Sequence, residues 1–490
     1  MFDSFIPTAD QYLRFLPECI LTIAGLIIML FAANDNKKEE NRNLFFTISA
    51  AALIAAIGAA LYAQTIPGTA FNNMIVVDGF ATFFRVLVLV VGILTLLASS
   101  NYLRAEHANS AEYYALVLFS IVGQCILAGA NELIMVFIGI EISSIASYIL
   151  AGYLRDDKRN NESALKYFLL GSFATAFLLY GIAWIYGVTG TTNLVDIRAK
   201  LLGPDVAGSM VLVGMAAALM FVGFAFKVSA APFQIWAPDV YQGAPAPVSA
   251  FMSAGPKAAA FAVFIRVYVV AFGPIANRWE PFVWGSAICT MIIGNFAALT
   301  QTNIKRMLAY SSIAHAGYVL VAITAHSDTG TAAVMFYLAA YAFMNVGAFA
   351  VVTYFARQGE KFVNVEDLAG LGTRQPLIAA MMTIFLLSLI GVPLTGGFFG
   401  KFYIFKAALD SNLVWLTVIG LLNSAVAAYY YLRVIVVMYF QEPGEASDTS
   451  VAATMGIRIA IVASAVATVV LGIFPSWLLD FAGRSAMLVK

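Results

Sequence analysis

The sequence predicts an all-α polytopic membrane protein with about fourteen transmembrane helices. Of its 490 residues, 61% are hydrophobic and only 11% are charged, whereas soluble domains carry roughly 25% charged residues. Apolar runs of about 20 residues, long enough to cross the hydrocarbon core of a bilayer, recur from end to end. Two longer runs contain prolines and glycines beside a lysine, which predicts helices that are broken inside the membrane.

Hydropathy places fourteen spans along the chain. They cover residues 12–32, 43–64, 77–100, 112–129, 131–152, 163–187, 209–240, 247–272, 280–300, 304–325, 330–356, 376–408, 413–440 and 456–482. Spans seven and twelve are too long for single ideal helices, and they contain Pro232 and Pro393. Because the first 17 residues lack a basic region and include Asp3 and Asp10, we expect the first run to be a retained helix rather than a cleaved signal peptide.

The broken spans lie five spans apart, and each carries a lysine beside its break, Lys227 and Lys401. An internal repeat of five helices produces such a spacing. Residue identity alone does not align the two halves, so the repeat is predicted from the spacing of the breaks.

The distribution of Lys and Arg among the loops predicts the orientation in the membrane. One face collects 13 of the 27 basic residues, and the face with both termini collects 7. The 13 are Lys37, Lys38, Arg42, Arg104, Arg155, Lys158, Arg159, Lys305, Arg306, Arg357, Lys361, Arg374 and Arg458; the 7 are Arg14, Arg198, Lys200, Arg278, Lys406, Arg484 and Lys490. The termini are therefore expected on the non-cytoplasmic side.

Charged residues inside apolar spans are the main candidates for function. Glu141 lies about ten residues into span five, and Lys227 and Lys257 flank the first break. A charge at the bilayer centre costs roughly 3 kcal/mol, and such residues usually mark ion pathways. The alternative for Glu141 is a salt bridge that only ties helices together. For Lys227, Lys257 and Lys401 the alternative is snorkelling to the interface, which suits positions near helix ends better than these.

Two further residues are candidates with an open alternative. Lys166 lies near the start of span six and is either a relay residue or an interfacial anchor. His315, in the motif YSSIAHAGY, has a side chain suited to proton transfer, but it is equally compatible with a structural role. Arginines 85, 266 and 433 are interpreted as helix-end or packing residues. Asp239 is interpreted as a loop residue near the break, and Glu132 as an interfacial residue.

Several classes of chemistry have no motif in this chain. A dinucleotide-binding GxGxxG after a strand, a P-loop, a nucleic-acid patch and a Cys or His cluster are all missing. The three cysteines, Cys19, Cys125 and Cys289, are scattered singly in apolar segments. We therefore expect this polypeptide alone to carry neither nucleotide nor electrons.

Four segments resemble a known family. NELIMVFIGIE, KVSAAPFQIWAPDVYQGAPAPVSAFMSAGPKAAAF, QTNIKRMLAYSSIAHAGY and LIGVPLTGGFFGKFYIF are similar to the antiporter-like membrane subunits of respiratory complex I, the NADH–quinone oxidoreductase. The similarity runs from about residue 112 to residue 440. Within that group, APDVYQGAPAPVS and YYYLRV are typical of one particular subunit.

The resemblance implies an architecture and a set of site residues. It implies an N-terminal three-helix segment (1–111), two inverted five-helix repeats (112–272 and 273–440) and a C-terminal helix (441–490). It also implies a proton half-channel in each repeat, joined by a central polar axis. The implied site residues are Glu141 with its partner Lys227, the central Lys257, Lys401, the additional Lys166 and the bridging His315.

The resemblance further implies a proton-translocating subunit of a bacterial inner-membrane NADH:quinone oxidoreductase. No cofactor is expected in this chain, whereas flavin, iron–sulfur clusters and quinone are expected in partner subunits. The implied partners are membrane lipid, sibling antiporter-like subunits and other membrane and peripheral subunits of the complex. Two alternatives stay open: a subunit of a multi-subunit cation/proton antiporter, and a non-pumping scaffold subunit.

Overall fold

A computed structural model describes residues 7–32, 39–108, 110–356, 358–443 and 455–487. The orientation count includes Lys37, Lys38, Arg357 and Lys490, which lie outside the described residues, as does Asp3.

Twenty α-helices form within the described ranges, together with one short hairpin. The helices are α1 Ala9–Arg14, α2 Leu16–Ala32, α3 Glu39–Ala63, α4 Gly79–Ala105, α5 Ala111–Gly129, α6 Leu133–Ala151, α7 Lys158–Thr189, α8 Leu194–Leu202, α9 Met210–Val228, α10 Trp236–Gly243, α11 Ala246–Phe264, α12 Ala276–Leu299, α13 Ile304–Thr324, α14 Asp328–Ala356, α15 Leu371–Arg374, α16 Pro376–Ile390, α17 Gly396–Asp410, α18 Val414–Phe440, α19 Met455–Ile473 and α20 Ser476–Met487. Strands β1 (Gly68–Ala70) and β2 (Ile75–Val77) pair antiparallel. A π-helical segment, Ile265–Ala271, continues α11, and 3₁₀ turns cover Pro204–Ser209, Gly273–Ile275, Gln358–Glu360 and Glu366–Leu368.

The predicted fold class, an all-α polytopic membrane protein, is confirmed. Twelve helices of the described chain are long and apolar enough to cross a membrane, and Leu16–Phe31 and Pro376–Ile390 are shorter apolar helices. The count of fourteen spans stays a prediction.

Both predicted breaks are present, and they have the same backbone geometry. Helix α9 ends before Ser229, and α16 ends before Gly391; both residues adopt left-handed conformations, with φ of 60° and 94°. After each, a backbone N–H reaches back over the last turn, from Ala230 to Ala225 O at 2.7 Å and from Val392 to Leu387 O at 3.0 Å. This pattern satisfies carbonyls that a helix end would otherwise leave without a partner in the membrane.

Two details of the predicted spans are wrong. Span fourteen is not one helix, because α19 ends at Ile473 and α20 starts at Ser476, with Pro475 between them. Proline cannot donate to the preceding turn, which explains the interruption. Asp239 lies within α10, the second half of broken span seven, rather than in a loop.

A pair of isolated antiparallel bridges relates the two halves of the chain. Glu132 pairs with Asn193, and Asn303 pairs with Asn364, so each bridge joins residues 61 positions apart. The backbone bonds match: Leu133 N donates to Thr192 O at 2.9 Å, as Ile304 N does to Val363 O at 2.8 Å. Each bridge ties the start of one long helix to the segment that follows the next, so α6 is tied to the chain after α7 and α13 to the chain after α14.

The centre of the molecule is formed by α11, α13 and α14. In the most apolar window of each of these helices, 94% of the residues are buried. Polar side chains on their facing sides therefore lie far from the lipid-exposed surface, and they form the site described next.

A buried lysine axis as the candidate functional site

Lys227 lies in an aromatic enclosure at one end of the axis. It is the second-last residue of α9, directly before the break. Its Nζ lies 5.4 Å from the ring centroid of Tyr148 and 5.3 Å from that of Tyr167. Aromatic faces stabilise an ammonium group through their quadrupole, and more strongly where water is excluded.

Glu141 approaches Lys227 without forming a close pair. None of the ion pairs that the described residues make within 4.0 Å joins these two side chains. Glu141 is half-buried on α6, two turns before Tyr148 on the same face of that helix, and the Tyr148 ring contacts Lys227. The structure therefore holds the predicted partners as neighbours that are not in contact.

Lys257 occupies the middle of the axis, and α13 supplies its partners. Its side chain on α11 is only 2% exposed. Nζ donates to the backbone oxygen of Ser312 at 3.1 Å and to its Oγ at 2.5 Å. Within the described part of the chain no carboxylate pairs with this ammonium group, so neutral oxygen acceptors alone compensate its burial.

His315 lies one helical turn beyond Ser312 and joins two further helices. Its Nδ1 bonds to the hydroxyl of Tyr337 on α14, and its Nε2 lies 3.1 Å from the hydroxyl of Tyr431 on α18. The Tyr431 hydroxyl also bonds to Ser311 Oγ. His315 is 2% exposed, and both of its ring nitrogens face groups that can donate or accept a proton.

Lys401 lies at the far end of the axis, against the second break. From α17 its Nζ donates to Leu389 O and Ile390 O, both at 2.9 Å, and to Ser424 Oγ at 2.8 Å. It thus binds the negative end of α16, whose last carbonyls have no intrahelical partner. Lys227 precedes its break whereas Lys401 follows its own, so the two lysines are not strictly equivalent in position.

An almost continuous run of polar side chains leads from Lys257 to Lys401. Ser312 and His315 share one face of α13, and the His315 ring stands 5.5 Å from the Tyr318 ring. Lys401 Nζ lies 4.8 Å from the same Tyr318 ring. The structure therefore brings three of the predicted residues into one buried cluster.

Aromatic rings fill the space between Lys227 and Lys257. Tyr167, beside Lys227, stacks on Trp236 with centroids 4.4 Å apart, and Trp236 meets Tyr241 at 5.8 Å. Tyr241 Oη donates to Met252 O on the Lys257 helix at 3.4 Å. The two lysines are linked by ring contacts rather than by a chain of hydrogen bonds.

Lys166 belongs to a different, more exposed cluster. Its Nζ lies 2.7 Å from Glu162 Oε1 and 2.7 Å from Asp239 Oδ2, and its side chain is 40% exposed. Asp239 also binds Arg306 at 2.6 Å. The structure places Lys166 in an ion-pair network apart from the buried axis.

The arginines interpreted as packing residues all have polar partners. Arg85 pairs with Glu18 at 2.7 Å and both are fully buried, while Arg266 pairs with Asp78 at 2.9 Å. Arg433 donates to Leu299 O and Gln301 O at a helix end.

Sequence reasoning missed the residues that connect the lysines. Tyr148, Tyr167, Tyr337, Tyr431 and Ser424 were not among its candidates. A tyrosine or serine inside an apolar run carries little hydropathic penalty, so only the packed helices reveal which hydroxyl faces a lysine. No group of three or more His, Cys, Asp or Glu side chains could hold a metal in the part of the chain that the structure describes.

Fold and site together define a polytopic membrane protein with two broken helices and a lysine beside each break, Lys227 half-buried and Lys401 buried. Comparison with known proteins specifies the family. The family model described as "NADH:quinone oxidoreductase/Mrp antiporter, TM" matches residues 130–427. The NADH-quinone oxidoreductase subunit N 1 of Solibacter usitatus is 64% identical over 98% of both chains, and subunit N 2 of Koribacter versatilis is 49% identical over 99% of this chain and 98% of its own.

Solved structures agree. A chain of respiratory complex I from Thermus thermophilus is 33% identical, covers 95% of this chain and 99% of its own, and superposes with a TM-score of 0.81. A chain of the Mrp complex from Dietzia sp. has a TM-score of 0.82, with 98% of each chain covered; at 22% identity it shows the fold alone. The chain belongs to the subunit N family of NADH-quinone oxidoreductases, as its APDVYQGAPAPVS motif predicts.

Proposed function

We propose that this chain translocates protons as a membrane subunit of an NADH:quinone oxidoreductase. The observation that carries the proposal is the buried run from Lys257 through Ser312 and His315 to Lys401. Titratable groups this deep in a membrane protein are costly, and they typically line proton or ion paths. Family membership supports the same role.

The arrangement supports a relay with two ends. Glu141 and Lys227 form no ion pair within 4.0 Å, and both lie beside Tyr148, so contact between them acts as a switch. When they separate, the charge of Lys227 is less compensated and disfavours a proton on Lys257. The proton then moves toward Lys401, with His315 as the bridge.

The driving energy comes from elsewhere in the complex. Moving one charge against the membrane potential costs about 2.3 kcal/mol per 100 mV, and quinone reduction in partner subunits supplies it. Flavin, iron–sulfur clusters and quinone are bound by partner subunits. Sibling antiporter-like subunits are further partners in the membrane. The chain lies in the bacterial inner membrane with both termini on the non-cytoplasmic side.

Substituting Lys257 by Met tests the proposal in the assembled, reconstituted complex. Proton uptake into vesicles and NADH oxidation are measured together, and the number of protons per NADH is expected to fall. Lys406→Met, an exposed lysine on α17, is the matched control and keeps the wild-type ratio. An unchanged ratio for Lys257→Met in fully assembled complex would overturn the relay.

A cation/proton antiporter subunit is the second candidate, since the matching family model covers both groups. The copurifying proteins decide between the two. Flavin and iron–sulfur centres in the purified assembly support the oxidoreductase, and their absence supports the antiporter. A pure scaffold predicts that neutralising Glu141 and Lys227 together impairs assembly but leaves the pumping ratio of assembled complex unchanged.

A further inference from the structure

A cavity of about 500 Å³ opens where α20 diverges from α19. Its walls come from α3, α4, α14, α19 and α20. Deeper along α4 and α14, the described residues that line it are apolar, among them Leu87, Val90 and Phe343. The interruption at Pro475, which hydropathy does not predict, creates this space by turning α20 away from the line of α19.

The few polar groups of the cavity gather at its outer end. They are Gln64, Thr82 and Arg484. Thr82 lies in the first turn of α4, and Val90 lies eight residues, or about 12 Å, deeper along the same helix. The end of α20 packs beside this first turn, because a Cβ on Gly79 would lie 2.6 Å from Ser485 Oγ. By the predicted orientation, this end faces the non-cytoplasmic leaflet.

Two of these polar groups have unused hydrogen-bonding capacity. Thr82 is 1% exposed, and its hydroxyl has no partner among the described residues. The hydroxyl oxygen itself is buried, so it does not face the open part of the cavity. Arg484 uses only Nε, which donates to Asp480 O at 3.3 Å; its other donors make no hydrogen bond within the described chain.

The charge of the lining has one sign. Among the described residues that line the cavity, Arg484 is the only charged one and none is a carboxylate. Trp477 stands at the rim with 58% of its surface exposed, and tryptophan is enriched at membrane interfaces. The cavity thus has a long apolar part and a positively charged outer end. This combination fits a molecule with a long hydrocarbon chain and an anionic headgroup.

We propose that this cavity is a binding site for one anionic glycerophospholipid. An acyl chain lies along Leu87, Val90 and Phe343, and the phosphate accepts hydrogen bonds from the Arg484 guanidinium group. Bidentate binding of phosphate by a guanidinium group is a common and strong interaction. The lipid fills the gap between α4 and α20 and holds the interrupted last helix against the core.

Photolabelling of the assembled complex in nanodiscs tests the site. The probe is phosphatidylglycerol with a diazirine near the end of one acyl chain, and the labelled peptides are mapped by mass spectrometry. Labelling is expected on the segments that contain Leu87, Val90 and Phe343. Arg484→Gln is expected to reduce it about tenfold, the loss of one charge-assisted hydrogen bond. Arg278→Gln, an exposed arginine on the same predicted face, leaves it unchanged.

A second experiment fills the apolar part of the cavity with one substitution and uses an exposed position on the same helix as its control. Ala467 lines the cavity, whereas Ala463, one turn away on α19, is exposed. Ala467→Phe is expected to abolish labelling of the deep segments, and Ala463→Phe is expected to retain it. Diacylglycerol carrying the same diazirine lacks the phosphate and is expected to label about tenfold less than phosphatidylglycerol.

Three outcomes would overturn the proposal. Equal labelling by diacylglycerol and phosphatidylglycerol would mean that the outer end of the cavity recognises no headgroup. Labelling that Ala467→Phe leaves intact would place the lipid elsewhere. Label found only on another subunit that contacts α20 would mean that protein, not lipid, covers this face.

Discussion

Lys257 depends on Ser312 for both of its hydrogen bonds, one to the backbone and one to the hydroxyl. The hydroxyl bond favours the ammonium form, since a hydrogen bond to a charged group contributes roughly 1.5–3 kcal/mol. Ser312→Ala is therefore expected to shift the protonation equilibrium of Lys257 by at least about tenfold. The measurement is the number of protons pumped per NADH across a pH series.

Ser249→Ala is the matched control for this substitution. Ser249 is equally buried on the Lys257 helix, but its hydroxyl donates to Tyr241 O at 2.8 Å, and no lysine of the described chain donates to it. If the Ser312→Ala and Ser249→Ala variants pumped the same number of protons per NADH at every pH, the role of Ser312 would be contradicted.

Glu106 allows a second residue-level prediction, on pH. It lies outside the membrane spans, after α4. Burial raises the pKa of its carboxyl above the ordinary 4.5, although the Gly359 N–H lowers it; Glu360 and Asp157 raise it further, and Arg159 opposes them. Because its pKa is raised in the folded state, Glu106 contributes to stability fully at pH values below about 4.5. This contribution to the free energy of unfolding is lost as the pH rises through the folded-state pKa. Glu106→Gln should therefore raise the melting temperature of the purified complex at pH 7.

The gain from Glu106→Gln should shrink as the pH falls toward 4.5, because the wild-type carboxyl is then protonated as well. Glutamine keeps an oxygen that accepts the Gly359 N–H, a bond of 2.7 Å in the wild type. A constant difference in melting temperature at every pH would mean that the charge of Glu106 is not the cause.

The charged site residues were predictable from sequence, and their neutral partners were not. Glu141, Lys227, Lys257 and Lys401 stand out because each places a costly charge in an apolar run. Tyr337 gives no such signal, since tyrosine is common in membrane helices. Its contact with His315 depends on how α13 and α14 are packed, which residue periodicity does not specify.

At the scale of the helices, the second break requires glycine at position 397. A Cβ there would lie 1.9 Å from the backbone oxygen of Ser388, so α16 and α17 could not meet as closely as they do. Gly397→Ala is expected to destabilise the folded chain by roughly 1–3 kcal/mol through overpacking. Thermal unfolding of the purified complex measures it.

Gly187→Ala provides the comparison for Gly397→Ala. No atom of the residues that the structure describes lies within 4 Å of a Cβ at Gly187, and alanine is the better residue inside a helix by about 0.5–1 kcal/mol. If both substitutions changed the melting temperature equally, the close approach of α16 and α17 would not be the reason for glycine at position 397.

A buried ion pair holds the connection between α10 and α11. Lys305 Nζ lies 2.5 Å from Glu360 Oε2 and donates to Ala244 O at 2.6 Å. Glu360 Oε1 accepts from Ala246 N at 2.8 Å and from the Tyr102 hydroxyl at 2.9 Å. The pair thus caps the end of α10 and the start of α11, the helix that carries Lys257.

Removing one partner of this pair leaves the other charge buried and unpaired. Lys305→Met is therefore expected to destabilise the chain by about 3–5 kcal/mol, whereas Lys305→Met with Glu360→Gln recovers part of that loss. A double-mutant cycle on thermal unfolding measures the coupling energy. Additive effects of the two substitutions would mean that the charges do not stabilise each other.

At the scale of helices, hydropathy located the breaks in spans seven and twelve. It did not predict the interruption in span fourteen. Pro232 and Pro393 lie in runs too long for one helix, so their effect was visible in the length. Span fourteen is short enough for a single helix, and Pro475 near its end did not reveal how α20 turns back onto α4.

At the scale of the whole molecule, the bridges Glu132–Asn193 and Asn303–Asn364 match in position. This match supports two structural repeats with the same order of helices. A repeat of five helices is odd in number, so its second copy must cross the membrane in the opposite direction. Equivalent connections then lie on opposite faces. We propose on this basis that the two halves are inverted repeats, as the resemblance implies.

Cysteine accessibility tests the inversion and the orientation together. Lys200 follows the first bridge, Lys361 adjoins the second, and both side chains are exposed. In a variant with the three native cysteines replaced by alanine, each lysine is changed to cysteine in turn. A membrane-impermeant maleimide added to intact cells, with the outer membrane permeabilised, is expected to label Lys200→Cys. Lys361→Cys should react only in inverted vesicles, because the face richer in Lys and Arg is cytoplasmic. Labelling of both from one side would contradict the inverted repeat, and the opposite pattern would keep the repeat but reverse the orientation.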